Sequence, residues 1–297
     1  MNQAAQLLEI VPNISEGRDH KIIDAVVEYA MRESDLKILD VHSDTDHNRA
    51  VLTFVGDQAA IEKAAFAVVK KASQLIDINQ HEGVHPFIGA TDVLPFVPVK
   101  DDAASMKSAV ESAKRVGERI WHELQIPVYL YGENNPDSER FNLSNIRKGG
   151  LAGLKARIHD FTPDIGKPVF HEKGGAIAVG ARKYLIAFNV NLNTDNLMVA
   201  KEIARSLREK HGGLPGVRAL GVPLKSRGIT QVTMNLTDYR KTGLKKAFDE
   251  VCTMARAGGI EVLEGEVVGM VPPQAAFSDM DKYLKLIRPV KILPFQS

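Results

Sequence analysis

The stretch His81–Val93, HEGVHPFIGATDV, holds the residue types best suited to chemistry. His81 and His85 lie four positions apart, but the proline that follows His85 disfavours helical geometry at that residue. We therefore predict a loop that fixes one imidazole, leading into a strand over Val93–Val97. Loops held by a rigid scaffold often carry catalytic groups, and a neutral imidazole near pH 7 can act as a general base. This reasoning makes His85 the candidate catalytic residue.

Other histidines and three aspartates lie close together in the sequence, ahead of this loop. Imidazole and carboxylate groups are ligands for zinc and similar ions, so a metal-dependent hydrolase is an alternative. No pair has the spacing of a known metal motif, and such residues are also common in turns on a solvated edge. We therefore predict no metal site. The residues considered are Asp40, His42, Asp44, Asp46 and His47, together with His81 and His85.

A second candidate is the glycine-rich run Gly166–Gly180, GKPVFHEKGGAIAVG. It has neither the GxGxxG order of a dinucleotide fold nor the pattern of a P-loop. An interdomain linker is the alternative, but Phe170, Ile177 and Val179 make the run more apolar than a free linker. Cations follow at Arg182 and Lys183. A loop of this composition could hold a flat heterocycle that carries an anionic tail.

Smaller candidates for ligand contact are polar residues beside the predicted strands. Arg49 could bind a carboxylate with two parallel hydrogen bonds, although a surface arginine at a strand start is an equally good interpretation. Gln231 and Asn235 share one face of a half-exposed strand, Ile229–Leu236. Glu16 lies in the loop after the first strand. The predicted substrate-binding residues are Asn13, His42, Asn48, Arg49, Gln231 and Asn235.

Composition indicates a globular protein of one large domain or two ordinary ones. The chain has 297 residues and a formal net charge of +1, so no global field draws it to nucleic acid or to a membrane. A single cysteine, Cys252, excludes an internal disulfide and fits a reducing compartment. Its neighbours predict a buried position on a helix. The N-terminus lacks the features of a signal peptide, and we expect a cytoplasmic protein.

Hydrophobic periodicity predicts the order β-α-β-β-α-β twice, which is the ferredoxin-like unit. We predict two such α/β (α+β) subdomains, over residues 1–181 and 182–297, with a cleft between them. The first set of strands is Leu7–Val11, Leu36–Val41, Ala50–Val55 and Val93–Val97, with helices from Asp19 and over Ile61–Leu75. The second set is Tyr184–Val190, Val217–Val222, Ile229–Leu236 and Val262–Val271, with helices over Leu197–Leu207 and Leu244–Ala255.

The segment between the two repeats is less regular. A helix with Met106 and Leu124 at its ends and a strand over Val128–Tyr131 follow the first repeat. Asn134–Thr162 is predicted to be a connector with one short helix, and Pro163–Gly180 to be irregular. In the second repeat, Asp195 is the expected helix N-cap and Gly212 the expected helix stop.

Several motifs together resemble one known family, glutamate formiminotransferase, which in animals forms the N-terminal part of formiminotransferase-cyclodeaminase. Each motif alone is a weak signal, but their order and spacing run from one end of the chain to the other. They are VPNISEG (Val11–Gly17), HNRAVLTFVG (His47–Gly56), HEGVHPFIGATDVLPFVPV (His81–Val99), VYLYGE (Val128–Glu133), GARKYLIAFNVNL (Gly180–Leu192), TQVTMNL (Thr230–Leu236) and VVGMVP (Val267–Pro272).

The resemblance implies two ferredoxin-like subdomains and transfer of a formimino group from N-formimino-L-glutamate to tetrahydrofolate, in histidine degradation. It implies that His85, the second histidine of the HxGxHP loop, is the catalytic base. Tetrahydrofolate would be a co-substrate, no metal would be needed, and the protein would be a homodimer. The implied folate loop comprises Gly166, Lys167, Pro168, Val169, Phe170, His171, Glu172, Lys173, Gly174 and Gly175.

The chain departs from the animal members in the histidine loop. Glu82 and Phe87 stand where those members carry cations, Val84 replaces a glutamate, and His42 stands where they carry an acidic residue. If one of these cations binds a substrate carboxylate in the animal members, its loss here implies a donor other than formiminoglutamate. Formyl transfer from N-formylglutamate is therefore one alternative. A non-catalytic folate-binding protein is another, beside the metal-dependent hydrolase of N-formyl or N-formimino amino acids.

Overall fold

A computed structural model describes residues 7–294, without the side chain of Ser138. The chain divides into two compact units, the first ending at Lys183 and the second beginning at Tyr184. The ends of the two predicted domains, residues 1–6 and 295–297, lie outside the described residues. Across residues 7–294 no helix has the length and apolar character needed to cross a membrane.

The first unit alternates strands and helices and then ends in a series of short helices and one more strand. A 3-10 turn, Ile78–Gln80, precedes the histidine loop. The elements are β1 (Leu7–Ile10), β2 (Asn13–Ile14), α1 (His20–Ser34), β3 (Ile38–Asp44), β4 (Arg49–Asp57), α2 (Gln58–Leu75), β5 (Thr91–Pro98), α3 (Ala103–Leu124), β6 (Val128–Gly132), α4 (Ser138–Phe141), α5 (Leu143–Ile146), α6 (Gly150–Ala156) and β7 (Ile177–Ala181).

One sheet organises the first unit, in the order β3, β4, then β1 and β2 together, β5, β7 and β6. The four positions from β3 to β5 are antiparallel and have the ferredoxin-like order, while β7 pairs in parallel with both β5 and β6. β1 and β2 share one position on either side of Pro12, which cannot donate a ladder hydrogen bond. The predicted α/β fold class is confirmed.

The two faces of this sheet differ in chemistry. Alternate residues such as Leu8, Leu52 and Phe96 are fully buried in the main core, which also takes in α1, α2 and α3. The opposite face carries buried polar groups and a smaller core around Tyr129. That smaller core joins the histidine loop to β6 and the short helices through Ile88, Val93, Tyr129, Tyr131, Ile146 and Leu154. Candidate site residues therefore lie on the face away from the large helices.

The second unit repeats the same antiparallel strand order, here β11, β8, β10 and β9. Its elements are β8 (Ile186–Leu192), α7 (Leu197–Leu207), β9 (Val217–Leu224), β10 (Ile229–Leu236), α8 (Leu244–Ala257), β11 (Val262–Val268), β12 (Met270–Val271), α9 (Met280–Tyr283) and β13 (Lys291–Ile292). Cys252 lies on α8, as predicted from its neighbours, but it is half-buried beside the core of this unit and not fully buried.

Several predicted boundaries are wrong. The run predicted to be irregular contains β7, whose pairing partners are distant in sequence, and the connector forms three short helices where one was expected. β3 runs through His42 to Asp44, beyond the predicted strand end at Val41. Asn196, not Asp195, caps α7 by accepting a hydrogen bond from Met198 N at 3.0 Å. Gly212 ends the 3-10 turn Glu209–His211, which follows α7.

The last predicted strand is also interrupted. Gly269 has φ +81°, a left-handed conformation that breaks an extended strand, so β11 ends at Val268 and the short β12 follows. β12 then pairs in parallel with β13 instead of extending the four-stranded sheet.

Gly89 offers a test of how the histidine loop is held. A Cβ atom at Gly89 would overlap the carbonyl oxygen of Ala176 and lie 2.7 Å from that of Gly174. We expect Gly89→Ala to lower the free energy of unfolding by about 1–3 kcal/mol, as overpacking does. Urea unfolding followed by circular dichroism measures it. Gly258→Ala is the matched control, because its Cβ would meet nothing closer than 3.5 Å. Equal effects of the two changes would contradict this account.

Candidate active site

Asn48 joins two loops of the first unit to each other. Its backbone is left-handed, with φ 47°, at the turn between β3 and β4. The side-chain oxygen accepts a hydrogen bond from Gly17 N at 2.9 Å, and the side-chain nitrogen donates to the carbonyl of Glu82 at 3.0 Å. Val84 N also donates to the Asp46 carbonyl at 3.1 Å. The histidine loop is therefore fixed along one side by this turn.

The glycine-rich stretch fixes the other side of the histidine loop. Ala90 N donates to Gly174 O, and Ala176 N donates to Ile88 O, both at 2.9 Å. Gly89 and Gly175 form an antiparallel bridge between these bonds. The two stretches that sequence analysis selected separately are thus hydrogen-bonded neighbours.

His85 lies half-buried between cations. Its Nε2 is 2.6 Å from Nη1 of Arg49, and its ring centroid is 5.9 Å from that of His47. Burial lowers the pKa of His85 well below its ordinary range, and the charges of Arg49, Arg147 and His47 lower it further. The imidazole is therefore neutral at pH 7, which is the form that a general base requires.

An ion pair behind His85 was not predicted from the sequence. Arg147, directly after α5, donates to Oδ2 of Asp92 on β5, while Asp92 Oδ1 accepts from Ile88 N at 3.0 Å. Burial raises the pKa of Asp92, opposed by Arg147 and Arg49. Burial also lowers the pKa of Arg49 to about 10, and Arg147 contributes in the same direction. Asp92 thus links the histidine loop, β5 and the short helices.

His81 has a different environment from His85. Its Nδ1 is 3.3 Å from the side-chain nitrogen of Asn48, and its ring also bonds the backbone of Ser15. Phe87 packs edge-to-face against it, with centroids 4.3 Å apart. Burial lowers the pKa of His81. The ring of His81 thus has the neutral partners Asn48 and Ser15, whereas His85 contacts a guanidinium.

The predicted substrate-binding residues fall into both units. Asn13 and His42 are buried in the first sheet, and Asn13 donates to the Val11 carbonyl at 2.7 Å. In the second unit, Gln231 is buried and donates to the side chain of Asn191 at 2.9 Å, whereas Asn235 is exposed.

Within that second unit, the Gln231 contact extends into a polar row across the sheet. Asn191 donates to Glu264 at 2.9 Å, and Arg227 donates to the same carboxylate. These side chains are on the sheet face opposite the helical core of that unit.

The glycines of the predicted folate loop are explained by the packing of the loop itself. Gly166 has φ +104° and lies against the Trp121 ring, and Gly175 has φ +71° against Ile88. Replacing Gly174 and Gly175 with valine would therefore disrupt the loop whether or not it binds a ligand. The residues left for ligand contact are the exposed Lys167, Val169 and Lys173 and the half-buried Phe170. The loop thus presents apolar side chains together with exposed lysines and the exposed Glu172.

The two cations that follow β7 have protein partners. Arg182 lies beside Tyr131 and Glu9. Burial raises the pKa of Glu9 to about 7, and the positive charge of Arg182 acts in the opposite direction. Lys183 is 3.7 Å from Asp101. Lys173, within the glycine-rich loop itself, is also exposed.

Within residues 7–294, no three or more histidine, cysteine, aspartate or glutamate side chains are grouped so as to hold an ion.

Comparison with known proteins covers both units. Residues 7–182 match the family model "Formiminotransferase domain, N-terminal subdomain", and residues 187–290 match "Formiminotransferase domain". A glutamate formimidoyltransferase of Streptococcus pyogenes serotype M1 is 42% identical, covering 95% of this chain and 94% of that protein. A glutamate formimidoyltransferase of Thermoplasma acidophilum is 43% identical, covering 94% of this chain and 93% of that protein. The formimidoyltransferase-cyclodeaminase of Sus scrofa is 38% identical over 91% of this chain but only 51% of its own length.

The Asp92–Arg147 pair yields a stability prediction. Only 2% of the Asp92 side chain and 14% of the Arg147 side chain are exposed, so Asp92→Ala leaves a buried guanidinium without its carboxylate. We expect a loss of about 3–5 kcal/mol in the free energy of unfolding, measured by urea denaturation.

The control for this prediction is Glu123→Ala on α3. Glu123 and its partner Arg119 have side chains 49% and 47% exposed, and such surface pairs contribute about 0–1 kcal/mol. If Asp92→Ala costs no more than Glu123→Ala, the buried pair does not hold the loop.

Proposed function

Because the chain belongs to the formiminotransferase family, we propose that it transfers the formimino group from N-formimino-L-glutamate to tetrahydrofolate. The observation that supports this best is His85, a neutral imidazole fixed beside two arginines. The imidazole suits proton transfer, and the arginines suit a donor that carries carboxylates. The proposed product pair is 5-formiminotetrahydrofolate and L-glutamate.

The reaction exchanges one amine for another at the formimino carbon. The N5 amine of tetrahydrofolate attacks this carbon, and His85 Nε2 takes the N5 proton as the tetrahedral adduct forms. The bond from carbon to the glutamate nitrogen then breaks, and the protonated His85 returns the proton to that nitrogen. Positioned proton transfer of this kind contributes roughly a hundred- to ten-thousand-fold. No covalent bond to the protein is needed, since the cofactor supplies the nucleophile.

Arg49 is the proposed ligand of a donor carboxylate. A guanidinium binds a carboxylate through two parallel hydrogen bonds, which fixes orientation as well as position. Its Nε is buried and makes no hydrogen bond within the described part of the chain. Asn13, His42, Asn48, Gln231 and Asn235 stay proposed substrate contacts, although the side-chain amide of Asn48 already bonds Gly17 and Glu82.

Tetrahydrofolate is the proposed co-substrate, held by Gly166–Gly175. In this proposal Phe170 and Val169 contact the flat ring system, and the exposed lysines Lys167 and Lys173 face the glutamate tail. Division into functional subdomains 1–181 and 182–297 is also proposed, on the repeated order of elements. A cytoplasmic location is proposed on the single cysteine, and a homodimer on the resemblance described above. Sedimentation at several protein concentrations tests the dimer.

The proposed roles of the two histidines predict different losses. His85→Asn should lower kcat by about two to four orders of magnitude, with little change in KM, because the ring moves protons. His81→Ala should be milder, because His81 contacts Asn48 and Ser15. The assay mixes tetrahydrofolate with formiminoglutamate and follows 5-formiminotetrahydrofolate by absorbance. Formylglutamate is tested in parallel as a donor.

Each outcome separates the proposal from its alternatives. Near-normal transfer by His85→Asn would contradict its role as the base. Turnover with formylglutamate but not with formiminoglutamate would show that formylglutamate is the donor. Loss of activity with a chelator, with restoration by zinc, would favour a metal-dependent hydrolase, and folate binding without turnover on either donor would favour a binding protein.

The proposed folate loop predicts a charge effect. Lys167→Ala and Lys173→Ala should each raise KM for tetrahydrofolate roughly two- to five-fold. This factor corresponds to the loss of one exposed ion pair, which contributes about 0.5–1 kcal/mol. The effect should shrink at high salt, since exposed charges are screened. Lys114→Ala, an exposed lysine on α3, is the control. If KM for tetrahydrofolate is the same in all three variants and the wild type, the tail does not contact this loop.

A further inference from the structure

The contact between Arg49 and His85 defines where the imidazole proton is. A guanidinium can only donate, so the 2.6 Å contact makes Nε2 of His85 the acceptor. The ring also bonds the backbone of Pro86, and proline has no N–H, so there the ring is the donor. His85 is therefore neutral, with its proton on the nitrogen that faces Pro86 and its lone pair directed at Arg49.

This arrangement conflicts with catalysis as it stands. A general base must present its lone pair to the proton that it removes, and here a guanidinium occupies that lone pair. The Pro86 side of the ring cannot substitute, because that nitrogen carries the proton. Arg49 must therefore leave Nε2 before His85 can accept a proton from an amine.

The charges around Arg49 indicate what would move it. Its guanidinium faces Arg147, which repels it, and is attracted by Asp92 and Asp44. Asp92 is already bonded to Arg147 and to Ile88 N, and Asp44 Oδ1 accepts from His47 N at 2.7 Å. Because these carboxylates are engaged and Arg49 Nε has no partner among the described residues, an incoming carboxylate would be a better ligand.

We propose that Arg49 covers the lone pair of His85 in the free enzyme and uncovers it when the α-carboxylate of the amino-acid donor binds the guanidinium. The inference rests on the proposed function. The α-carboxylate is the choice among the carboxylates available because it is separated from the reacting nitrogen by a single carbon. Held by Arg49, it brings that nitrogen next to His85. The carboxylates of the folate tail lie beyond the aromatic ring, far from N5.

Such an exchange has a direct electrostatic signature. The hydrogen bond from Arg49 stabilises the neutral ring, and the charges of Arg49, Arg147 and His47 all disfavour the protonated one. A carboxylate that binds Arg49 removes the hydrogen bond and neutralises the nearest cation, so the pKa of His85 must rise. By linkage, the same carboxylate must bind more tightly as the pH falls through that pKa. The base becomes stronger only when the donor is present.

The test is histidine ring NMR on the ¹⁵N-histidine-labelled full chain, with His85 assigned from His85→Asn. In the free protein we expect the proton on the nitrogen that faces Pro86. Saturating L-glutamate should raise the pKa of His85 by about one unit or more, the size expected for one close charge. Two isomeric probes separate the carboxylates. 2-Aminobutyrate keeps the α-carboxylate and should raise the pKa, while 4-aminobutyrate keeps only the distal one and should not.

Variants of Arg49 test whether it is the coupling residue. Arg49→Met should raise the pKa of His85 without any ligand and abolish the further rise with L-glutamate. Arg49→Lys, which keeps the positive charge, is the substitute if Arg49→Met does not fold. In Arg49→Lys, L-glutamate should raise the pKa of His85 by less than in the wild type. Arg119→Met, an exposed arginine of α3, is the control and should leave both quantities unchanged.

Two results would overturn the inference. One is a free protein in which the proton lies on Nε2 of His85. The other is a rise in the pKa of His85 with L-glutamate that persists in Arg49→Met, or that is as large in Arg49→Lys as in the wild type. A wild-type protein that binds L-glutamate with no change at His85 also contradicts it, whereas a protein that does not bind L-glutamate contradicts the proposed donor instead.

Discussion

The arrangement at His85 depends on one carboxylate, that of Asp92. One of its oxygens holds the backbone of the histidine loop through Ile88 N, and the other holds Arg147. Asp92 is itself fixed at the start of β5, a strand buried along its full length. Without it, a second buried cation beside Arg49 would lack compensation, and burying unpaired charge costs several kcal/mol. The loop, the ion pair and the sheet thus form one unit, in which the position of the imidazole is set by contacts from distant parts of the sequence.

The same charges control the chemistry of the imidazole. Two guanidinium groups near a ring would make a poor site for a histidine that must be protonated at rest, but they suit one that must be neutral. His81, four positions earlier, shows the contrast. It bonds Asn48 and the Ser15 backbone and packs on Phe87. One loop therefore holds two histidines in different surroundings, with neutral partners at His81 and guanidinium groups near His85.

The fold could be predicted from sequence to a large extent, because the repeated β-α-β-β-α-β order follows from local periodicity and caps. β7 could not, since Ile177–Ala181 is a short run of small residues whose strand character comes from parallel pairing with distant β5 and β6. In the candidate site, Pro86 pointed to His85 because its effect on the backbone is local. Arg147 had no such signal. It lies in a connector without periodicity, and only the folded chain brings it to Asp92.

The chain's departures from the animal members also look different in the structure. Loss of cations at Glu82 and Phe87 suggested a loop unable to hold a carboxylate. The Phe87 side chain packs on His81, and Glu82 contacts Asn48 only through its backbone carbonyl, which any residue there supplies. The cations nearest His85 come instead from β4 and from the segment after α5, as Arg49 and Arg147. A carboxylate-bearing donor is therefore compatible with this loop.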